Sequence, residues 1–400
     1  MPELKTSQHP AQSQLRSDAA GPQLIAWIAA FGLLVVGAWF YFTAHDWTTL
    51  YLRDLRVYQS AIDAFAGGDD PYQATSARHA QGLFFTSPPF VWLLYKLAAH
   101  SALRPIFGPL LLAANAVSIV AAPVLLSRLL LGPGSGRTAL GAAFFFSAFA
   151  GAGFFTALVI NNGTPLYALI AWGLYLAIRQ DRWLWFHLAV ALATAFKPFY
   201  AAFWIVPLLA DTPWGRQWAA CALGLAAAAL SYIAPMLLAP KLFAAWLHTL
   251  VQQTVGEGLL GDNLLGAMLH DPNARHSHLA AYEAQGLLSA ILLAAVLMLG
   301  RLTRAQRLAG LLLAAVFLNP RASRYDLSFA AIPLLALAAD ALVQDRSSAT
   351  VQAAWAIGLA VVMAAFSHNT PADGFLYAGV AVVVLYGVVG ASYVKPAPAG

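Results

Sequence analysis

Apolar runs, most of them near the length that crosses a bilayer, recur from one end of this chain to the other. They constrain its fold more than any other feature. A helix needs about 20 apolar residues to span about 30 Å of hydrocarbon. The runs fall at residues 22–43, 105–127, 138–159, 164–178, 183–196, 198–210, 217–239, 284–300, 308–319, 327–340, 350–366 and 374–394. They predict an all-α polytopic membrane protein with about twelve transmembrane helices. The short pair 183–196 and 198–210 reads as a broken or re-entrant helix, which survives at membrane depth only under cover of protein or beside a water-filled cavity. Composition points the same way. Of 400 residues, 60% are hydrophobic and 10% charged, against about 25% charged in a soluble domain. That balance excludes a water-soluble globular chain, a disordered chain and a nucleic-acid binder. The single Cys221 excludes a disulfide framework and a cysteine-built metal site.

The formal charge of +5 reads as loop charge obeying the positive-inside rule. With the N-terminus inside, twelve basic and six acidic residues fall on the cytoplasmic side, and ten basic and eleven acidic residues outside. Residues 1–21 and 395–400 are then cytoplasmic tails around one membrane domain, 22–394, with long outer loops at about 44–104 and 240–282. The first run starts after about 20 polar residues and is too long for a cleaved signal peptide. This parity requires Pro88 to His100 not to cross, so Pro88 to Lys96 reads as a helix lying in the outer interface, with Trp92 and Tyr95 at headgroup level.

Polar function concentrates in the first outer loop, which holds Asp46, Asp54, Asp63, Asp69 and Asp70. Trp47 to Ala66 is amphipathic at helical spacing, with Val57, Ala61 and Phe65 on one stripe and Tyr58 and Ile62 beside it. Gly67-Gly68 ends it and Asp69-Asp70-Pro71-Tyr72 is turn chemistry. The pattern predicts a helix resting on the membrane. Asp54, between Arg53 and Arg56, is either a solvated charge paired with arginine or a base. Asn161-Asn162-Gly163-Thr164-Pro165 is either a helix cap and turn or a set of amides facing a cavity and sugar hydroxyls. Lys197-Pro198 interrupts an apolar run. Its lysine either snorkels from a short helix end or holds a lipid phosphate. Asn319 to Leu327 carries Arg321, Arg324, Tyr325 and Asp326. It is either a charged outer turn or an anion site, since the guanidinium fork matches phosphate oxygens. His248, His270, His276, His278, Asp262 and Asp271 share the second outer loop but lack a ligand spacing, so no metal site is expected.

Asp54-Leu-Arg-Val-Tyr58 followed by Gly68-Asp-Asp-Pro-Tyr72, then Phe84 to Phe90, Asn162-Gly163-Thr164, Lys197-Pro198-Phe199 with Pro207-Leu208-Leu209, and Pro320 through Asp326-Leu327 occur in that order. The set resembles the GT-C membrane glycosyltransferases, specifically glycosyltransferase family 87, the polyprenyl-phosphate-mannose-dependent mannosyltransferase-like proteins. Family members often carry Gly-Gln where this chain has Gly163-Thr164, and some carry Asp-His-His where it has Arg324-Tyr325-Asp326. The resemblance implies a GT-C-like fold, a bacterial inner-membrane location with the active site facing the periplasm, and an acidic catalytic base on the first outer loop, a role that transfers to Asp54. It also implies a lipid-linked sugar donor, mannose or another hexose on polyprenyl phosphate, and a glycan or glycolipid acceptor. No cofactor and no nucleotide site are expected.

Tyr58, Tyr72, Asn161, Asn162, Lys197, Arg321, Arg324, Tyr325 and Asp326 are the candidate substrate contacts. Two rival classes share the topology. A transporter or lipid flippase would carry paired intramembrane charges and repeat symmetry. Another envelope polymer ligase would differ in its acceptor step.

Overall fold

A computed structural model of the chain describes residues 35, 53–73, 87–99, 104–132, 163–209, 214–251, 287, 290, 293–294, 303–319, 329–330, 332–333 and 335–337. Among these the architecture is all-α, without strands. The helices are α1 (Arg53–Ala66), α2 (Pro88–Ala99), α3 (Arg104–Leu130), α4 (Gly163–Gln180), α5 (Trp183–Phe196), a 3-10 helix (Pro198–Leu209), α6 (Trp214–Leu238), α7 (Pro240–Val251) and α8 (Arg304–Phe317). Two helical stretches, Gly108–Leu130 and Gln217–Leu238, are long and apolar enough to cross a membrane. The expected runs at 138–159, 350–366 and 374–394, both tails, and nearly all of 22–43 and 284–300 lie outside the described residues.

α5 is the central helix. It buries Phe186, Val190 and Ala193 completely. A two-residue link, Asp181-Arg182, turns α4 back onto it. Asp181 sits at φ 56, a left-handed conformation that aspartate tolerates better than most residues. Close approach on both flanks depends on glycine. A Cβ on Gly173 of α4 would stand 2.8 Å from the Phe186 Cα, and one on Gly224 of α6 would stand 2.9 Å from the His187 Cβ. Such small-residue contacts let backbones approach closely and gain dispersion energy. Tyr167, Tyr200, Phe203 and Phe329 form an aromatic knot on the far side.

The 3-10 helix folds back along α5. The Trp204 Nε1 donates to the His187 Nδ1 at 3.2 Å, and Val206 and Trp183 line the same cavity. α5 and the 3-10 helix therefore make a hairpin with both legs returning to one end and Lys197 at the tip. The cavity end also gathers the C-termini of α3 and α4 and the start of α8, through Leu129, Ile178 and Arg304. The tip end holds the start of α4, where the Tyr200 hydroxyl donates to the Gly163 carbonyl at 3.4 Å.

Candidate functional site

Over the hairpin tip lies a second, smaller apolar cluster. α1 supplies its first wall. Tyr58, Ala61 and Ile62 are buried, with Val57 and Phe65 half-buried. The expected stripe is present, turned slightly toward Tyr58. Its cover differs from expectation: protein, not lipid, packs on it. Val91 of α2, Trp246 of α7 and Phe196 at the end of α5 belong to the same cluster. The Phe65 and Tyr95 rings meet at 5.3 Å, and Trp92 on the other face of α2 is exposed under Lys96.

Gly67-Gly68 stops α1 as its sequence implies. Gly68 adopts φ 84. The Asp69 amide donates to the Ala64 carbonyl at 2.9 Å and the Gly68 amide to the Phe65 carbonyl at 3.2 Å, the paired bonds of a Schellman cap. The Asp70 carboxylate then accepts from the Tyr72 amide at 2.9 Å, capping the turn that Pro71 opens. Tyr72 is buried in the same cluster as Tyr58. Burial first, and the Asp70 carboxylate second, hold its hydroxyl far above the ordinary tyrosine value of 10.0.

The tip is tied from several directions. Three consecutive carbonyls at the end of α5 all have donors. Ala193 accepts from the Lys197 amide at 2.8 Å, Thr194 from the Tyr232 hydroxyl of α6, and Ala195 from the Ser87 hydroxyl. Ser87 immediately precedes α2, so the chain entering α2 is anchored to the hairpin at that point. Lys197 leaves the helix in an extended conformation, φ −141 and ψ 120, because Pro198 disfavours helical backbone in the residue before it. The lysine is buried, 7% exposed, with its Nζ 6.0 Å from the Phe199 ring centre. A cation suits the negative end of the α5 dipole.

Of the candidate residues, Tyr58 and Lys197 come together through Phe196, whose ring the Tyr58 ring meets edge-on at 6.5 Å. Asp54 lies on the first turn of α1, one turn before Tyr58. Asn161, Asn162, Arg321, Arg324, Tyr325 and Asp326 lie outside the described residues. Their described neighbours reach the tip end or its aromatic knot. Gly163 accepts from Tyr200, three residues past Lys197, and Phe329 stacks on Tyr167 at 4.9 Å. Among the described residues no group of three or more His, Cys, Asp or Glu comes together.

Sequence reasoning passed over Phe196, Ser87, Thr194, Tyr232 and α7. Phe90 also meets Phe196, at 4.5 Å. Leu242, Phe243, Trp246 and Leu250 do carry helical spacing, a signal that was available within residues 240–282. Thr194 adds a buried Oγ1 with no hydrogen-bond partner among the described residues. The arrangement offers a buried cation, a neighbouring hydroxyl and an acidic residue carried on an adjoining helix. No protein-family model, curated protein or solved structure matches the chain.

Proposed function

We propose that this chain is a membrane glycosyltransferase that moves a hexose, mannose first among candidates, from polyprenyl phosphate to an acceptor hydroxyl at the outer face of the membrane. The observation that carries the reading is the seating of α1, which bears Asp54 and Tyr58, on Phe196 beside the buried Lys197. An acid and a cation carried by adjoining elements are the two charges such a transfer needs. Lys197 stabilises the phosphate charge that develops as the sugar departs. Arg321 and Arg324 are assigned the same task. Asp54 takes the proton of the acceptor hydroxyl, which attacks the anomeric carbon as the phosphate leaves, so a single displacement inverts the centre.

The sorting of helix ends supports this reading. Arg179 and Arg304 line the cavity end, and Arg128 contributes its carbonyl to Arg179 there, while Lys197 and Gly163 occupy the other end. With the arginine end cytoplasmic, the tip faces outward, where a lipid-linked donor needs no nucleotide. The two apolar helices support a membrane location, and the bacterial inner membrane is the proposed address. Purified full-length protein in micelles, given defined polyprenyl phosphate hexoses, should release polyprenyl phosphate and form a product of inverted anomeric configuration. No release from any hexose donor, together with no donor binding, would remove the assignment.

A further inference from the structure

The cavity at the opposite end is a separate feature, and nothing in sugar transfer uses it. It measures about 260 Å³. Its wall combines apolar side chains, among them Trp183, Val206 and Leu308, with the guanidinium groups of Arg179 and Arg304 and with no carboxylate. Two helices begin at it, α5 at Trp183 and α8 at Arg304, and neither has an acidic residue in its first turn. The C-termini of α3 and α4 meet the same cavity, so the positive and negative helix ends there offset one another. α8 opens on a capping box formed by Thr303 and Gln306, so the charge of the site rests on its arginines. Arg179 gives one donor to the Arg128 carbonyl at 2.8 Å, which fixes its position.

Two arginines on an otherwise apolar wall, with no carboxylate in the lining, make a site for an anionic headgroup. The apolar remainder of the wall distinguishes it from a site for a free ion. We propose that this cavity binds the phosphodiester headgroup of an acidic glycerophospholipid from the leaflet at that end, with its glycerol backbone against Leu308 and Val206. Basic pockets between membrane helices suit such headgroups. The site lies at the far end of the hairpin from Lys197, so bound lipid would brace both legs of the hairpin at their base. The inference requires that the chain reside in a membrane, and it does not require that the chain transfer sugar.

The test uses the full chain in neutral detergent, titrated with short-chain phosphatidylglycerol, matched phosphatidylcholine and inorganic phosphate. Thermal unfolding and adducts retained in native mass spectrometry are the readouts. Phosphatidylglycerol should raise the unfolding midpoint and remain bound, because a ligand of the folded state alone stabilises by mass action. Arg179→Gln with Arg304→Gln should weaken its apparent affinity by at least about tenfold. Ala305→Phe, which fills the cavity and keeps both arginines, should do the same. Arg182→Gln, which removes one charge from outside the lining, should leave it within about twofold. An equal response to phosphatidylcholine, an equal response to inorganic phosphate, or loss in Arg182→Gln matching that of the double variant would each overturn the proposal. Retained phosphatidylglycerol binding in Ala305→Phe would do so as well.

Discussion

The Tyr58 ring meets the Phe196 ring edge-on, centroids 6.5 Å apart and planes at 88°. One residue belongs to α1 and the other precedes the buried lysine at the hairpin tip. The relationship is open to a double-mutant cycle. Tyr58→Ala and Phe196→Ala should each destabilise, and their coupling should be about 0.5–1.5 kcal/mol, as for other aromatic pairs. Strict additivity in denaturant unfolding would show that the two elements are not energetically linked.

Asp54→Asn tests the base. Asparagine keeps the size and hydrogen bonding but accepts no proton. General-base assistance contributes about 10²–10⁴-fold, and turnover should fall by that order while donor binding persists. Asp63→Asn is the internal control, since Asp63 is exposed near the other end of α1. Transfer at parental rate by Asp54→Asn, measured with a defined polyprenyl phosphate hexose, would assign the proton to another group.

Lys197→Ala should weaken donor binding by about 1.5–3 kcal/mol, the worth of one charge-assisted hydrogen bond. Arginine should not restore it, because a planar fork does not occupy the place of a compact ammonium beside Phe199. Equilibrium binding of a non-transferable donor analogue separates this loss from a catalytic one. Parental affinity in Lys197→Ala would move the phosphate away from the tip.

Close packing against α5 predicts a different kind of loss. Gly224→Ala and Gly173→Ala force a methyl group against the backbone of α5, at 3.0 Å from the His187 carbonyl oxygen and 2.9 Å from that of Trp185. Overpacking of this kind costs about 1–3 kcal/mol. Gly215→Ala, where the added methyl meets nothing within 4 Å, is the matched control. Thermal unfolding in one detergent compares the three, and equal midpoints would disprove the close approach.

Tyr72 predicts alkaline sensitivity. Its folded value lies above 10.0, so the unfolded chain releases the proton first. The stability contribution is whole below pH 10 and declines as pH rises above it. Tyr72→Phe should flatten that decline in unfolding measurements on either side of pH 10. An unchanged slope would locate the alkaline transition elsewhere.

Much of the helical layout was legible in the residues. The run 183–196 has the bounds of α5, the interruption falls at Lys197-Pro198, and the Gly67-Gly68 stop is formed as the pair implies. Periodicity and proline are local signals, and local signals survive without tertiary knowledge. The cover of α1 was not legible. An apolar stripe is equally satisfied by lipid or protein, so Tyr58 and Ala61 announce burial without naming Val91, Phe196 or Trp246 as the burying surface. The same limit hid Ser87 and Tyr232. A hydroxyl states that it will find a partner, and only the fold states that the partners are the Ala195 and Thr194 carbonyls.

The two legs of the hairpin differ in residue number, 14 in α5 and 12 in the 3-10 helix. At about 1.5 Å per residue in one winding and about 2.0 Å in the other, they reach about 21 and 24 Å. Wound as an α-helix, the return leg would reach only about 18 Å. The tighter coil thus works as a length adjustment, letting a shorter strand of chain climb down from the tip as far as the longer one climbed up. An inserted residue in either leg would act as a ratchet, turning the tip by about 100° or 120° and shifting its depth. Loss of one would turn it the other way. The hairpin can therefore accept many exchanges of side chain, but its arithmetic leaves almost no room for a change in count.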